Sequence, residues 1–479
     1  MTDVGGKTAK GVVWSVIDRF AGQGVQFIMG LVIARMVMPS DYGMIAMLTV
    51  FLAIAQTFVD SGFGSALVQK QDRSEVDFST VFFFNGAVAL VCYLALYLTA
   101  PLIADFYDEP RLAMIARVAG LALVINALGA VQLARLTITL DFKKLAMVTL
   151  TAVLFSGLLG IFLAYKGFGV WALVAQTLAN NLLYNALLWV VSRWHPRWAF
   201  SMASFKGLFS FGSKLLLSSL LHTVYVNLYS LVIGKFFSSQ ELGYYNRSSV
   251  VAMFPSSNLS TVIYRVVYPV QCQLQHDAEA MKQHFFQYLR LSCYVIFPIM
   301  VGLCVLAEPL VLVVLKAKWL PAVPYLQILC IAYMWDSIMK LNGAVINAKG
   351  RSDLFFKAEI IKKITAFLIL AATLPFGIKA MCYGLIAYAC ADITIITHYT
   401  NKLVGLSLLP QIKQLAPILG LTALMGGAVY VSTLFIQNPY LTLLAGFVTG
   451  LVVYVGAAPL FRVRELNAIL SFVKNRRMR

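Results

Sequence analysis

The sequence predicts an all-α polytopic membrane protein of about fourteen transmembrane helices, arranged as two parallel six-helix repeats followed by an extra pair. Three observations lead there. Of 479 residues, 60% are hydrophobic and 12% charged, with a mean hydropathy of +0.81, whereas a soluble domain carries about 25% charged residues. Apolar runs of about 20 residues recur along the whole chain, each long enough to cross the hydrocarbon as a helix. Finally, LVIARMVMPSDYG at 31–43 is echoed by LVIGKFFSSQELG at 231–243, and GFGVWA at 167–172 by PFGIKA at 375–380. One unit is therefore present twice, in the same order and orientation.

The first span, 11–36, follows Lys7 and Lys10 and contains Asp18 and Arg19. It is too long and too interrupted for a cleaved signal peptide. Breakers and polar intervals then delimit spans at 42–66, 78–104, 111–135, 145–165 and 168–191, completing an N-lobe over 1–200. Spans at 208–236, 241–265, 284–306, 322–347, 354–375 and 378–401 form a C-lobe over 201–405. Spans 412–436 and 440–461, with a basic tail, complete 406–479. An even number of helices per lobe starts both lobes on the same side, so the repeats are parallel rather than inverted.

Orientation follows from basic residues. One set of loops and both termini carry Lys7, Lys10, Lys70, Arg73, Arg135, Lys143, Lys144, Arg193, Arg197, Lys206, Arg265, Lys282, Lys349, Arg351, Lys357, Lys402, Lys413, Arg462, Arg464 and the tail FVKNRRMR. The other side holds only Arg35, Arg111, Lys166, Lys235, Lys316, Lys318 and Lys379. Roughly 24 against 7 places both termini in the cytoplasm. The net charge of +18 then reflects loops and tail, and no basic domain stands apart to bind nucleic acid. Cys92, Cys272, Cys293, Cys304, Cys330, Cys382 and Cys390 are scattered without a CxxC pair, so neither a disulfide framework nor a metal site is indicated.

Polar groups at membrane depth are costly and face a cavity or a partner. In the first span Ser15, Arg19, Gly22, Gln23, Gln26 and Gly30 form one stripe. An arginine with two glutamines fits a water-accessible wall, while the glycines also suit close packing. The seventh span aligns Lys214, Ser218, His222, Tyr225 and Tyr229. Lys214 either faces a cavity or snorkels to headgroups, and His222 is either an interior histidine or a proton carrier. Thr49, Gln56 and Asp60 share a face of the second span; Arg247, Asn258, Thr261 and Arg265 lie on the eighth, which Pro255 should bend. Asp336 and Lys340 are spaced to pair, as is Glu359 with Lys362 or Lys363, while Arg117 and Asp392 have no sequence-near partner. Arg19, Lys214 and Arg247 outweigh Asp18 and Asp60 in these spans. Positive walls in a low dielectric favour an anionic group, and Arg and Lys suit phosphate oxygens.

The block at 31–72, LVIARMVMPSDYGMIAMLTVFLAIAQTFVDSGFGSALVQKQD, with EPLVLVVLKAKWLPAVPYLQILC at 308–330 and NAKGRSDLFFKAEIIKK at 347–363, resembles the Wzx-like polysaccharide and lipopolysaccharide flippases of the multidrug/oligosaccharidyl-lipid/polysaccharide (MOP) exporter superfamily. The resemblance covers nearly the whole chain as diffuse pattern. It implies two six-helix lobes around a central cavity lined by helices one, two, seven and eight. It implies alternating-access export, across a bacterial inner membrane, of an undecaprenyl-pyrophosphate-linked oligosaccharide for surface polysaccharide synthesis. The sequence shows no nucleophile elbow, metal motif or phosphate-binding glycine loop, so no cofactor, metal or catalysis is expected, and membrane lipids, a polysaccharide polymerase and other assembly proteins are the expected partners. In that resemblance the pyrophosphate-holding cations map onto Arg19, Lys214 and Arg247, with Gln23, Gln26, Gln56, Asp60, His222 and Asn258 as polar cavity lining.

Three other readings compete. A cation-coupled drug antiporter of the same superfamily should have about twelve helices and acidic lobe cavities. An inner-membrane polymerase or ligase needs a sizeable external loop with gathered acids, His and Arg, and the external intervals here are short. A membrane scaffold would leave the cationic stripes unexplained.

Overall fold

The computed structural model describes residues 21–60, 62–461, 463 and 465, apart from the side chains of Ser210, Phe211 and Lys214. Among the described residues every regular element is a helix. Apolar segments in hydrocarbon must satisfy their backbone internally, and a helix does so within one segment. Among the described residues, eleven helices or helical runs are long and apolar enough to cross a membrane by length and composition. The chain divides into two compact units, 1–246 and 247–479.

In the first unit, α1 is the described helical stretch 21–36, followed by α2 (Pro39–Asp60), α3 (Phe63–Gln69), α4 (Glu75–Tyr107), α5 (Arg111–Ala119), α6 (Leu121–Ala127), α7 (Ala130–Ile138), α8 (Phe142–Tyr165), α9 (Val170–Ser192), α10 (Met202–Phe236) and the start of α11 (Ser239–Gln273). The expected span 111–135 is three short helices, interrupted at Gly120 and at 128–129. α9 is less apolar than those eleven because Gln176, Asn180, Asn181 and Asn185 lower its hydropathy.

α4 starts at a capping box. Ser74 accepts from the Asp77 amide at 3.3 Å, and Asp77 accepts from the Ser74 amide at 2.7 Å. Lys70 adds an ion pair to Asp77 at 2.9 Å. The connector 193–201 is pinned to the same end of α4: the Arg197 amide donates to Ser79 Oγ (3.0 Å) and the Ser201 amide to Thr80 Oγ1 (3.1 Å). Trp194 Nε1 and Arg135 both donate to Glu75, at 2.6 and 2.9 Å.

The two echoed blocks meet inside this unit. A Cβ on Gly43 would stand 1.6 Å from the Ser239 carbonyl oxygen, and one on Gly243 would stand 1.9 Å from the Pro39 carbonyl oxygen. The helix starts of α2 and α11 therefore cross at backbone contact, each supplying a glycine against the other's first residue. Position 39 is to 239 as 43 is to 243, so the contact is self-complementary, as across a two-fold axis. α10 packs along α2, α3 and α4, which is why the compact unit extends past residue 200.

The second unit continues α11 and adds α12 (Ala278–Val305), α13 (Ala307–Leu315), a 3-10 turn (Ala317–Ala322), α14 (Val323–Tyr333), α15 (Asp336–Ala348), α16 (Ser352–Thr373), a 3-10 turn (Leu374–Phe376), α17 (Ile378–Val404), α18 (Leu408–Leu434) and α19 (Pro439–Ala457). α11 runs continuously through Pro255 and Pro269. α12 packs on α18, α18 on α19, and α16 on α17, with α14 and α15 against α12 and α17. A buried polar knot ties α15, α17 and α18. Asn342 and Gln411 exchange hydrogen bonds at 3.0 and 3.1 Å, and Thr400 donates to Asn342 Oδ1 at 2.9 Å. At the exposed start of α16, the preceding Arg351 donates twice to Asp353 of its first turn at 2.8 Å and holds that carboxyl down at about 2. Beyond α19, Glu465 pairs with Arg290 of α12, whose guanidinium also donates to Gln414 at 3.1 Å.

Candidate functional site

In the first unit, Gln56 and Asp60 lie one turn apart on α2, so they share a face. Gln56 Nε2 donates to Asp60 Oδ1 at 2.8 Å. Gln56 Oε1 accepts from Asn126 of α6 at 3.2 Å, and Asn126 Oδ1 accepts from Asn185 of α9 at 3.4 Å. Four polar side chains on three helices thus form one relay, with Asp60 exposed at one end and Asn185 buried at the other. Gly129 makes room for it: a Cβ there would fall 1.6 Å from Asn185 Oδ1. A linked amide series leaves few lone pairs unmet where water is scarce, and only its carboxylate end remains open to a ligand.

Thr57, beside Gln56, shares a hydrogen bond with Thr223 of α10 at 3.1 Å. That contact fixes the position of the adjacent His222, which is exposed. On α1, Gln23 and Gln26 are exposed, while Gly22 faces Thr149 of α8. Arg19 lies outside the described residues, and Lys214 sits on α10 with its side chain outside them.

In the second unit Arg247 is buried at 7% exposure. Its neighbour Ser248 donates to the Ala322 carbonyl at 2.9 Å, and Ser256 to that of Tyr333 at 2.6 Å, so this face of α11 is held to α14 and to the 3-10 turn before it. Asn258 donates to its own helix at Phe254 O, 2.8 Å.

The second unit also gathers charge. Lys340 pairs with Asp336 at 2.8 Å and reaches Thr261 of α11 at 3.5 Å. Lys362 of α16 pairs with Glu359 at 2.6 Å and with Asp392 of α17 at 3.0 Å, and Lys363 adds a contact to Glu359 at 3.6 Å. Both i, i+3 or i, i+4 pairs are those the spacing indicates. Apart from Lys363, these groups border a cavity of about 370 Å³ between α11, α15, α16 and α17. Arg117 lies 4.7 Å from the ring of Tyr97 and donates to its carbonyl at 3.4 Å.

Sequence reasoning missed Asn126 and Asn185, although an isolated amide in an apolar span is itself a signal of a partner. It also left Asp392 without the Lys362 that meets it, since that contact joins two helices.

The family model described as "Polysaccharide biosynthesis protein" matches residues 32–324. The chain belongs to this family. Among curated polysaccharide biosynthesis relatives, it is 28% identical over 352 residues to the teichuronic acid biosynthesis protein TuaB of Bacillus subtilis, covering 72% of each chain. It is 28% identical over 380 residues to the lipopolysaccharide biosynthesis protein WzxC of Escherichia coli, covering 79% of this chain and 77% of that one. The succinoglycan biosynthesis transport protein ExoT of Rhizobium meliloti is 27% identical over 323 residues, covering 67% of this chain and 65% of that one.

Its fold is that of the lipid II flippase MurJ in an inward closed conformation, with a TM-score of 0.77 over 94% of this chain and 99% of that chain at 15% identity. An inward-facing MATE multidrug transporter of the MOP superfamily matches at a TM-score of 0.60 over 82% of this chain and 98% of that one, at 14% identity. This polysaccharide biosynthesis family member is thus a multi-pass membrane protein with the MOP fold.

Proposed function

We propose that this protein is a flippase that carries an undecaprenyl-pyrophosphate-linked oligosaccharide across a bacterial inner membrane by alternating access, for assembly of a surface polysaccharide. The observation that carries this reading is family membership: the match at 32–324 is joined by relatives named for polysaccharide biosynthesis over 72% and 79% of the chain and by one named for succinoglycan transport over 67% of it. The fold shared with MurJ is consistent with it. Arg19, Lys214 and Arg247 supply the positive charge that holds the pyrophosphate, because planar and point cations are the natural partners of phosphate oxygens at membrane depth. Gln23, Gln26, Gln56, Asp60, His222 and Asn258 offer neutral or hydrogen-bonding contacts around it. Both termini are cytoplasmic, on the distribution of Lys and Arg. The chain performs no catalysis, and a polysaccharide polymerase receives the exported unit.

The test is reconstitution. Purified protein in proteoliposomes should translocate an undecaprenyl-pyrophosphate-linked glycan, read by accessibility to a membrane-impermeant sugar-modifying reagent. A rate equal to that of protein-free liposomes would refute the proposal. A reporter that is active only outside the cytoplasm should work near Asn438 and fail after Arg479.

A further inference from the structure

We propose that the charged cavity of the second unit is a saccharide subsite, taking one neutral pyranose ring through Asp336, Lys340, Asn347 and Tyr264. The inference rests on the flippase reading and names which part of the cargo this cavity holds.

The cavity follows one face of α15. Asp336, Lys340, Gly343 and Asn347 fall at helical spacing and line it over about 16 Å of helix. Its volume, about 370 Å³, falls within the roughly 300–1,000 Å³ usual for small-molecule sites.

Charge selects the class of ligand. Asp336, Glu359 and Asp392 line the cavity with Lys340 and Lys362, Lys363 reaches Glu359 from outside the lining, and each lysine is already within ion-pair distance of a carboxylate. A phosphate would have to break one of these pairs and leave a carboxylate beside it at low dielectric, which is costly. A cation meets the same obstacle from the lysines. A sugar hydroxyl both donates and accepts, so it can add to the network without breaking it.

Two neutral groups are ready for such a ligand. The Asn347 side-chain amide and the Tyr264 hydroxyl both border the cavity, and neither makes a hydrogen bond among the described residues. The rings of Tyr264 and Phe355 supply apolar walls to match the C–H face of a pyranose. Asn347 and Phe355 flank the turn holding Lys349 and Arg351, which the charge distribution assigns to the cytoplasm. The cavity is therefore near the side from which the lipid-linked glycan is loaded.

The experiment measures binding to the full-length protein in nanodiscs. The probes are undecaprenyl pyrophosphate itself and the same lipid bearing one glucose or one galactose. Wild type should bind at least one glycosylated lipid about tenfold more tightly than the bare lipid, as one or two added hydrogen bonds allow. Tyr264→Phe and Asn347→Leu should each reduce that preference about three- to tenfold and leave the affinity for bare lipid within about twofold. Neither substitution touches an ion pair, and binding of bare lipid reports an intact fold. If Asn347→Leu loses that binding, Tyr264→Phe, which removes a single oxygen, decides. Equal binding of all three lipids by wild type, a preference unchanged in both variants, or equal loss for bare and glycosylated lipids would overturn the subsite. Failure of wild type to bind any of the three would instead overturn the flippase reading and the subsite with it.

Discussion

Gly43 and Gly243 each stand where a side chain would strike the other repeat's helix start, at 1.6 Å from the Ser239 carbonyl oxygen and 1.9 Å from that of Pro39. The obstacle in both cases is backbone, so no rotamer change relieves it. Gly43→Ala and Gly243→Ala should each destabilise the protein by about 1–3 kcal/mol, the usual cost of overpacking. Once the helix starts have parted for one methyl, the second finds room. The double variant should therefore lie nearer to either single variant than to their sum. Thermal unfolding in detergent checks this, and strict additivity would contradict a shared crossing.

Lys362 and Asp392 form a largely buried inter-helix pair. Asp392→Ala should cost about 3 kcal/mol, because it leaves a buried ammonium short of one carboxylate. Lys362→Met combined with Asp392→Leu should recover most of that loss. Unfolding midpoints of the three variants give the cycle, and a double variant as unstable as Asp392→Ala would rule out pairing as the cause.

Asn342 and Gln411 make two reciprocal hydrogen bonds between α15 and α18. Asn342→Leu strands the Gln411 amide and the Thr400 hydroxyl in a buried site, and about 1–3 kcal/mol of stability should be lost. With Gln411→Leu added, fewer groups are stranded, so the double variant should cost less than the two single losses together. Chemical unfolding in detergent is the measurement.

Arg19→Ala, Lys214→Ala and Arg247→Ala should each slow transport of a pyrophosphate-linked glycan in proteoliposomes by about tenfold, on removal of one charge-assisted contact. Arg19→Lys should retain more activity, though less than wild type, since an ammonium lacks the planar fork. Protein levels must be matched, and each variant must be monodisperse. Wild-type rates in well-folded Arg19→Ala and Arg247→Ala would make both arginines structural.

The helices were legible because the bilayer asks little of a sequence beyond length and apolarity. Among the described residues each expected span falls on a helix or a helical run, the first of them over 21–36 only. Local pairs were legible too: Asp336 with Lys340 and Glu359 with Lys362 follow from the pitch of a helix. What spacing could not supply was any contact joining remote helices. Asn126 and Asn185 complete the relay begun by Gln56, and Lys362 finds Asp392, only once the tertiary fold exists. The repeat was visible as an echo of residues, but the mutual contact of its two glycines was not. The breaks that turn 111–138 into three helices were hidden because Gly120 and Gly129 sit in a run without proline, and a single glycine does not by itself end a helix.

The seating of α10 against α2, α3 and α4 sets a condition on biosynthesis. Residues 193–246, about 54 of them, separate the last helix of the first repeat from the end of the first compact unit. At roughly 5–20 residues per second, the ribosome needs about 3–11 s to deliver them. Throughout that interval the nascent chain holds six helices in the membrane with the α10-facing side of α2 uncovered, Thr57 included. An insertase or chaperone that shields small polar faces of membrane helices should crosslink to a cysteine at position 57 in chains arrested near residue 200, and release it once the chain is arrested beyond residue 290.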